Sequence, residues 1–181
     1  MTRRERENIV QVLAREYGMV EKTFKDDEGD NSPKYVLLPS GRKANRVFFT
    51  GTVTETGETQ SGMKARVNDG SGNFIMYPSD EYNPESADTL RDIEAPERVA
   101  VMGKVGVYEP EEGTVIPNVS PEFIKVVGKQ TRTKGITEAA RRTLDALEDP
   151  PEKDRLDEFY GGSQADEVRE AVINALESVK S

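Results

Sequence analysis

Cysteine and histidine are both absent from this 181-residue chain. That excludes a disulfide framework, a thiol nucleophile, an imidazole base and any Cys/His zinc site. No long apolar run occurs, so no segment reads as a membrane span. The first residues, MTRRERENIV, lack the apolar core of a signal peptide. The expectation is a soluble, cytoplasmic protein with no membrane partner. No stretch groups a nucleophile with a base and an orienting residue, and paired carboxylates such as Asp80 and Glu81 are commonplace in so acidic a sequence. The chain is therefore read as non-enzymatic, with no cofactor and no metal.

Three stretches imitate ligand loops without meeting their requirements. GETQSGMK (57–64) has Met63 where a phosphate-binding loop needs lysine, and no helix follows. DGSG (69–72) is a hairpin turn. DDEGDN (26–31) has Asn31 where a calcium-binding EF-hand needs glycine, and it lacks the acidic twelfth position.

What the chain does have is acid. Hydrophobic residues make up 34% and charged residues 33%, with a net charge of −9. The core must therefore be concentrated in part of the sequence. By segment the charge is +1 over 1–43, −7 over 44–128, +2 over 129–133 and −5 over 134–181. A free-standing, non-specific nucleic-acid binder usually carries a basic footprint. Two explanations compete for the acidic middle: adaptation to high salt, or a domain that binds protein rather than DNA.

That middle region carries the clearest pattern. RVFFTGTVTETG, MKARVND and NFIMYP read as three strands, the last two joined by the DGSG turn. A helical stretch, PESADTLRDI, precedes two more strands, ERVAVMGKVGVYE and VIPNVSPEFIKVV. Three strands, a helix and two strands is the order of the oligonucleotide/oligosaccharide-binding (OB) barrel, which binds single strands on its strand 2–3 face and between two loops. The fold class expected is mainly β: a five-stranded OB-fold barrel over 34–128 with an N-terminal helix and a C-terminal helical extension.

Alternation identifies the core side. Val47, Phe49, Gly51 and Val53 share one parity; so do Met63, Ala65 and Val67, and Val99, Val101, Val105 and Val107. Gly51 and Gly103 lie inside strands, where glycine marks bulges or bends. In 1–33, Ile9, Leu13 and Tyr17 recur at helical spacing, predicting a helix over 3–17 followed by a polar linker, KDDEGDNSP (25–33). KYVLLP (34–39) is expected to be an extra strand covering a barrel edge. GKQTRTKG (128–135) reads as a basic linker, its domain boundary set at 129–135. In 136–181 two helical stripes follow, Ile136, Ala140, Leu144 and Leu147, then Val168, Val172, Leu176 and Val179. Pro150 and Pro151 separate them, and Ser163 is a candidate N-cap. Helices this short are marginal alone and must pack on the barrel, on each other or on a partner.

The candidate nucleic-acid-binding residues are Lys64, Arg66, Phe74, Tyr77, Lys104 and Tyr108. Lys64 and Arg66 project opposite to the core parity of their strand. Phe74 and Tyr77 differ in parity, so one faces the ligand groove and the other fills the core. Lys104 and Tyr108 share a parity. Cations for phosphates and aromatic platforms for bases are the means of sequence-tolerant single-strand binding, each stacked base being worth about 1–3 kcal/mol. The competing reading makes the same residues ordinary strand positions and solvated charges. Lys125, Lys129, Arg132 and Lys134 form a second basic cluster, read as a charged linker without a specific contact.

Three segments (34–55, 65–104 and 119–127) resemble the archaeal replication protein A-associated proteins. The resemblance rests on three ordered motifs. A P-[ST]-G-x-x-x-N-R run is matched by Pro39, Ser40, Gly41, Asn45 and Arg46. A D-x-[ST]-G-x-F hairpin is matched by Asp69, Ser71, Gly72 and Phe74. A Y-x-P-E-A run is matched by Tyr82, Pro84 and Glu85, with Ser86 in place of alanine. The resemblance is weak over 1–33 and 130–181. It implies an accessory subunit of a single-stranded-DNA-binding complex in replication and repair, partnering a larger multi-barrel replication protein A subunit. It also implies assembly through a C-terminal helix, here the stripe Ile136, Ala140, Leu144 and Leu147; the second stripe, Val168, Val172 and Leu176, goes beyond what the resemblance requires and is expected to bind the partner with it. The alternatives are an OB-fold protein-interaction scaffold that never contacts DNA, or an RNA-binding OB module.

Overall fold

The computed structural model describes residues 9–25, 34–111, 115–160 and 164–180. In chain order these form β1 (Val10–Gln11), α1 (Ala14–Gly18), β2 (Thr23–Lys25), β3 (Lys34–Leu37) and β4 (Lys43–Ala44). The barrel elements follow: β5 (Arg46–Glu58), β6 (Met63–Asn68), β7 (Asn73–Met76), α2 (Pro84–Asp92), β8 (Glu97–Tyr108) and β9 (Ile116–Val126). The chain then forms α3 (Lys129–Glu148), α4 (Lys153–Tyr160) and α5 (Ala165–Ser178).

The five long strands close on themselves. β5 pairs antiparallel with β6 and β8, β6 with β7, and β8 with β9, while β7 and β9 close the ring in parallel. Closure removes the free edges that an open sheet must protect. This is the expected OB barrel with helical additions. The inward parities read from the sequence are buried at Val47, Phe49 and Val53, at Met63, Ala65 and Val67, and at Val99 and Val101, while Val105 and Val107 pack against the same core only partly buried. Gly103 sits where β9 carries an extra residue, and a side chain there would meet the Ser120 carbonyl oxygen at 2.5 Å. Phe49 stacks on Phe74 at the centre, ring centroids 3.7 Å apart.

The N-terminal segment departs from expectation. The part of 3–17 that is described is extended up to Leu13, with β1 pairing in parallel along the first half of β5. Only Ala14–Gly18 is helical. The stripe Leu13–Tyr17 is split between two cores: Tyr17 enters the barrel, and Leu13 packs with Ile136 and Val172. The cause is a cap that helical periodicity cannot reveal. Asp69, in the β6–β7 turn, accepts the Ala14 N–H at 2.8 Å from 55 residues away. The same carboxylate accepts Ser71 N–H and O–H and the Gly72 N–H. Burial pushes the Asp69 carboxyl above the usual range, against the downward pull of those hydrogen bonds.

KYVLLP does contain a strand, but it does not cover the barrel edge; β3 joins β2 and β4 in a separate three-stranded sheet. α4, which was not foreseen, is tied to that sheet: Phe159 packs edge-on to Phe24, and the Tyr160 hydroxyl donates to the Leu37 carbonyl. The linker reading of 129–135 is also corrected, because α3 begins at Lys129. Gly135, read as a flexible linker residue, is where the helix rides on β5. A side chain at that position would collide with Thr50, whose hydroxyl donates to the Arg132 carbonyl at 2.7 Å. Residues 1–8, 26–33 and Ser163 lie outside the described residues, and with them the rest of the predicted helix, most of the polar linker and the proposed cap.

One buried ion pair links these parts. Glu16 is fully buried, and Arg42 reaches it at 3.2 Å. Arg42 also donates to the Gln11 carbonyl, the Ser40 hydroxyl and the Thr143 hydroxyl on α3. Removing one partner of a buried pair strands the other, at a cost of about 3–5 kcal/mol. Arg42→Ala is therefore expected to lower unfolding stability by about that amount in urea titration. Glu16→Leu with Arg42→Met should recover most of the loss. Equal losses in the single and double variants would refute the pairing.

Candidate nucleic-acid interface

The outward face of the barrel is built by strand register. Ala65 faces Met76 and Arg66 faces Ile75 across β6–β7, so the same register sets Lys64 beside Tyr77. Tyr77 donates its N–H to the Val119 carbonyl, which places it next to Ser120. Ser120 lies opposite Lys104, and Lys104 opposite Arg46. One row, Lys64–Tyr77–Ser120–Lys104–Arg46, thus runs around the barrel.

A groove of about 730 Å³ opens between this row and the start of α2, with Tyr77 and Lys104 on the barrel side and Tyr82 and Pro84 on the helix side. Tyr77 is 46% and Tyr82 78% exposed. Neither ring is packed as a core residue, so both are available as platforms. The helix side is held by Asn83, whose Oδ1 accepts the Ser120 hydroxyl at 3.1 Å and the Ser79 N–H at 3.4 Å. Tyr82 is held in turn by its N–H to the Ser79 hydroxyl at 2.9 Å. Beneath them Arg91 binds Glu58, Asp80 and Asp88, joining α2 to the β5–β6 end of the barrel. Hydrogen bonds to Glu58 and Asp80 raise the Arg91 pKa still further above its ordinary value.

The expected site residues separate accordingly. Tyr77 and Lys104 come together at the groove, and Lys64 flanks it. Arg66 is exposed but paired with Glu55 at 3.1 Å. Tyr108 is exposed on the face of Lys104, four residues on along β8, about 13 Å away at strand rise. Phe74 is not a site residue: at 1% exposed and stacked on Phe49, it is the centre of the core. Near the groove, Glu122 is taken by a two-pronged contact from Arg46 at 2.8 and 3.2 Å. Lys104 has no ion pair among the described residues.

The assembly stripes are corrected in the same way. Ile136, Ala140, Val168 and Val172 are buried within the chain, where α3 and α5 pack on each other and on the barrel. Leu176 and Val179 pack partly against the same cluster. Leu144 and, on α5, Ile173 remain exposed, and Leu147 is half-buried. Burial within the chain consumes most of the apolar surface that the resemblance assigned to a partner.

Sequence reasoning missed Tyr82, Asn83 and Ser86 as groove residues. The signal was present, since Tyr82 and Pro84 belong to the Y-x-P-E run, but the run says nothing of which way the loop turns.

No family model matches the chain, and no curated protein matches it. Among solved structures, the fold is similar to a chain of the S. pombe Stn1–Ten1 complex, with a TM-score of 0.63 at 9% identity over 78% of this chain and 95% of that one. It is also similar to a chain of a replication protein A heterotrimer bound to single-stranded DNA, with a TM-score of 0.55 at 15% identity over 77% and 98%. At such identities the likeness is one of fold: both are matched over nearly their whole length by this barrel and its helices.

The separation of Phe74 from Tyr77 can be measured without any ligand. Phe74→Ala should cost about 3–5 kcal/mol of stability, as for a large core aromatic. Tyr77→Ala should stay within about 0.5 kcal/mol, as for a surface position. Thermal unfolding of both variants checks the pair, and a large loss in Tyr77→Ala would remove that ring from the groove.

Proposed function

We propose that this chain is an OB-fold accessory subunit of a heteromeric complex that binds single-stranded DNA, of the archaeal replication protein A kind, acting in replication and repair in the cytoplasm. The observation that carries the reading is the groove at the α2 N-terminus, which sets two exposed tyrosines beside Lys104, a lysine with no ion pair among the described residues. Stacking supplies sequence-tolerant affinity and the cation holds the backbone. The two structural neighbours add support: one comes from a heterotrimer bound to single-stranded DNA, the other from a complex between two proteins. The larger partner would meet what the fold leaves uncovered on the helices, Leu144 and Leu147 on α3 and Ile173 on α5.

A second reading has an observation of its own. Over 44–128 the charge is −7, and Arg46, Arg66 and Arg91 are each taken by carboxylates. A barrel so neutralised would also suit a protein-binding scaffold.

Fluorescence anisotropy of the chain with a labelled single-stranded oligomer, titrated across salt, separates the two. Binding that weakens linearly in log–log form reports phosphate contacts and their number. Tyr77→Ala with Tyr82→Ala should then weaken binding by about 2–6 kcal/mol, on the scale of two stacked bases. Absence of binding across the whole salt range would leave the scaffold. For the partner face, Leu144→Glu with Ile173→Glu should abolish co-purification of the large subunit while leaving the fold intact. Retention of the subunit would place assembly elsewhere on the chain.

A further inference from the structure

The N-terminus of α2 carries hydrogen-bond donors that no described residue accepts from. Asn83 stands at the cap position, yet its side chain makes no bond to the helix, because Oδ1 is drawn away to Ser120 and to the Ser79 N–H. Pro84 follows and has no N–H to satisfy. The first free N–H groups are therefore those of Glu85 and Ser86, which lack intrahelical partners by the geometry of a helix start.

Ser86 provides an independent observation. It is only 3% exposed, and its hydroxyl has no hydrogen-bond partner among the described residues. Its oxygen is not among the buried atoms that lack a partner, so it keeps access to the groove. Ser86 lines the groove, so the little surface that it keeps opens there. Lys104 faces the same groove from β8. Two N–H groups, one hydroxyl and one ammonium converge, all of them donors. The helix dipole adds positive potential at this end. The carboxylates near by are Glu85, whose side chain is exposed, and Glu122, which Arg46 engages.

We propose that the α2 N-terminus is a phosphate-binding subsite, seating one backbone phosphate of a single strand whose flanking bases stack on Tyr77 and Tyr82. Helix starts are ready-made anion sites when their N–H groups are free. The DNA part of this inference rests on the proposed function, whereas the phosphate chemistry is shared with free inorganic phosphate.

The experiment is amide NMR of the isotopically labelled chain, titrated in parallel with a thymidine oligomer and with inorganic phosphate alone. Alongside it, anisotropy compares the intact chain with Ser86→Ala. Alanine suits a helical position and removes only the hydroxyl. The expected result is large shifts of the Glu85 and Ser86 amides with the oligomer. Affinity should fall about tenfold in Ser86→Ala, the scale of one hydrogen bond to a charged group. An oligomer that binds without moving those amides, and equally well to Ser86→Ala, would overturn the subsite while leaving the DNA reading in place. Shifts with inorganic phosphate but not with the oligomer would keep the anion site and overturn its assignment to DNA. No response to either ligand overturns both parts.

Discussion

The docking of the N-terminal segment and of α3 on the barrel depends on the buried contact between Glu16 and Arg42. Five groups meet there: a carboxylate from α1, a guanidinium and a hydroxyl from the loop before β4, a carbonyl from β1 and a hydroxyl from α3. These come from three regions of the chain that are otherwise joined mainly by apolar packing, which fixes distance better than orientation. Directional bonds to one guanidinium select a single docking. The arrangement is not optimal as a source of stability, since Glu16 Oε2 is buried without a partner. A buried pair that fails to offset its own desolvation contributes more to uniqueness than to stability, and α3 can lie over Thr50 in one register only.

Asp69 plays the matching part at the barrel end. Its carboxylate organises its own turn through Ser71 and Gly72 and starts α1 through Ala14. The helix that plugs the barrel therefore forms where the hairpin tells it to. This gives two of the three motifs behind the replication protein A resemblance a structural meaning. Ser40 belongs to the Arg42 contact, and Asp69, Ser71 and Phe74 build the turn and the core. Only the Tyr82–Pro84–Glu85 run faces the groove. A motif match over this chain thus reports the scaffold more than the site.

This explains what was legible in the sequence and what was not. The barrel strands were readable because each must bury alternate residues, and Val47, Phe49 and Val53 or Met63, Ala65 and Val67 can do so in one way only. The start of the chain misled because Leu13 and Tyr17, at helical spacing, serve two cores on opposite sides of a short segment. The run 128–135 misled because lysine, threonine and glycine usually mark a linker, whereas here Gly135 is small so that a helix can touch Thr50. The groove was half legible: strand parity assigned Lys64 and Lys104 to the outer face, while Tyr82, Asn83 and Ser86 depend on a loop conformation fixed by Ser79 and Ser120, which no periodicity encodes.

The chemistry of that groove also bears on how an acidic barrel could hold a polyanion. A lysine-rich cleft works through counterion release, and its affinity collapses as salt rises. Here Arg46, Arg66 and Arg91 are spent on Glu122, Glu55 and the acids Glu58, Asp80 and Asp88. At the groove itself there remain Lys104, without an ion pair among the described residues, two exposed rings and a set of neutral donors at a helix start. Stacking and dipolar hydrogen bonds release few counterions, so their contribution depends weakly on salt. A strand bound in this way would lose less affinity with salt than one held by a lysine-rich cleft, and the −7 of the barrel would oppose it least where the salt is highest. The acidity that argues against a basic footprint is compatible with single-strand binding, provided the contact is made through rings and backbone amides rather than through net charge.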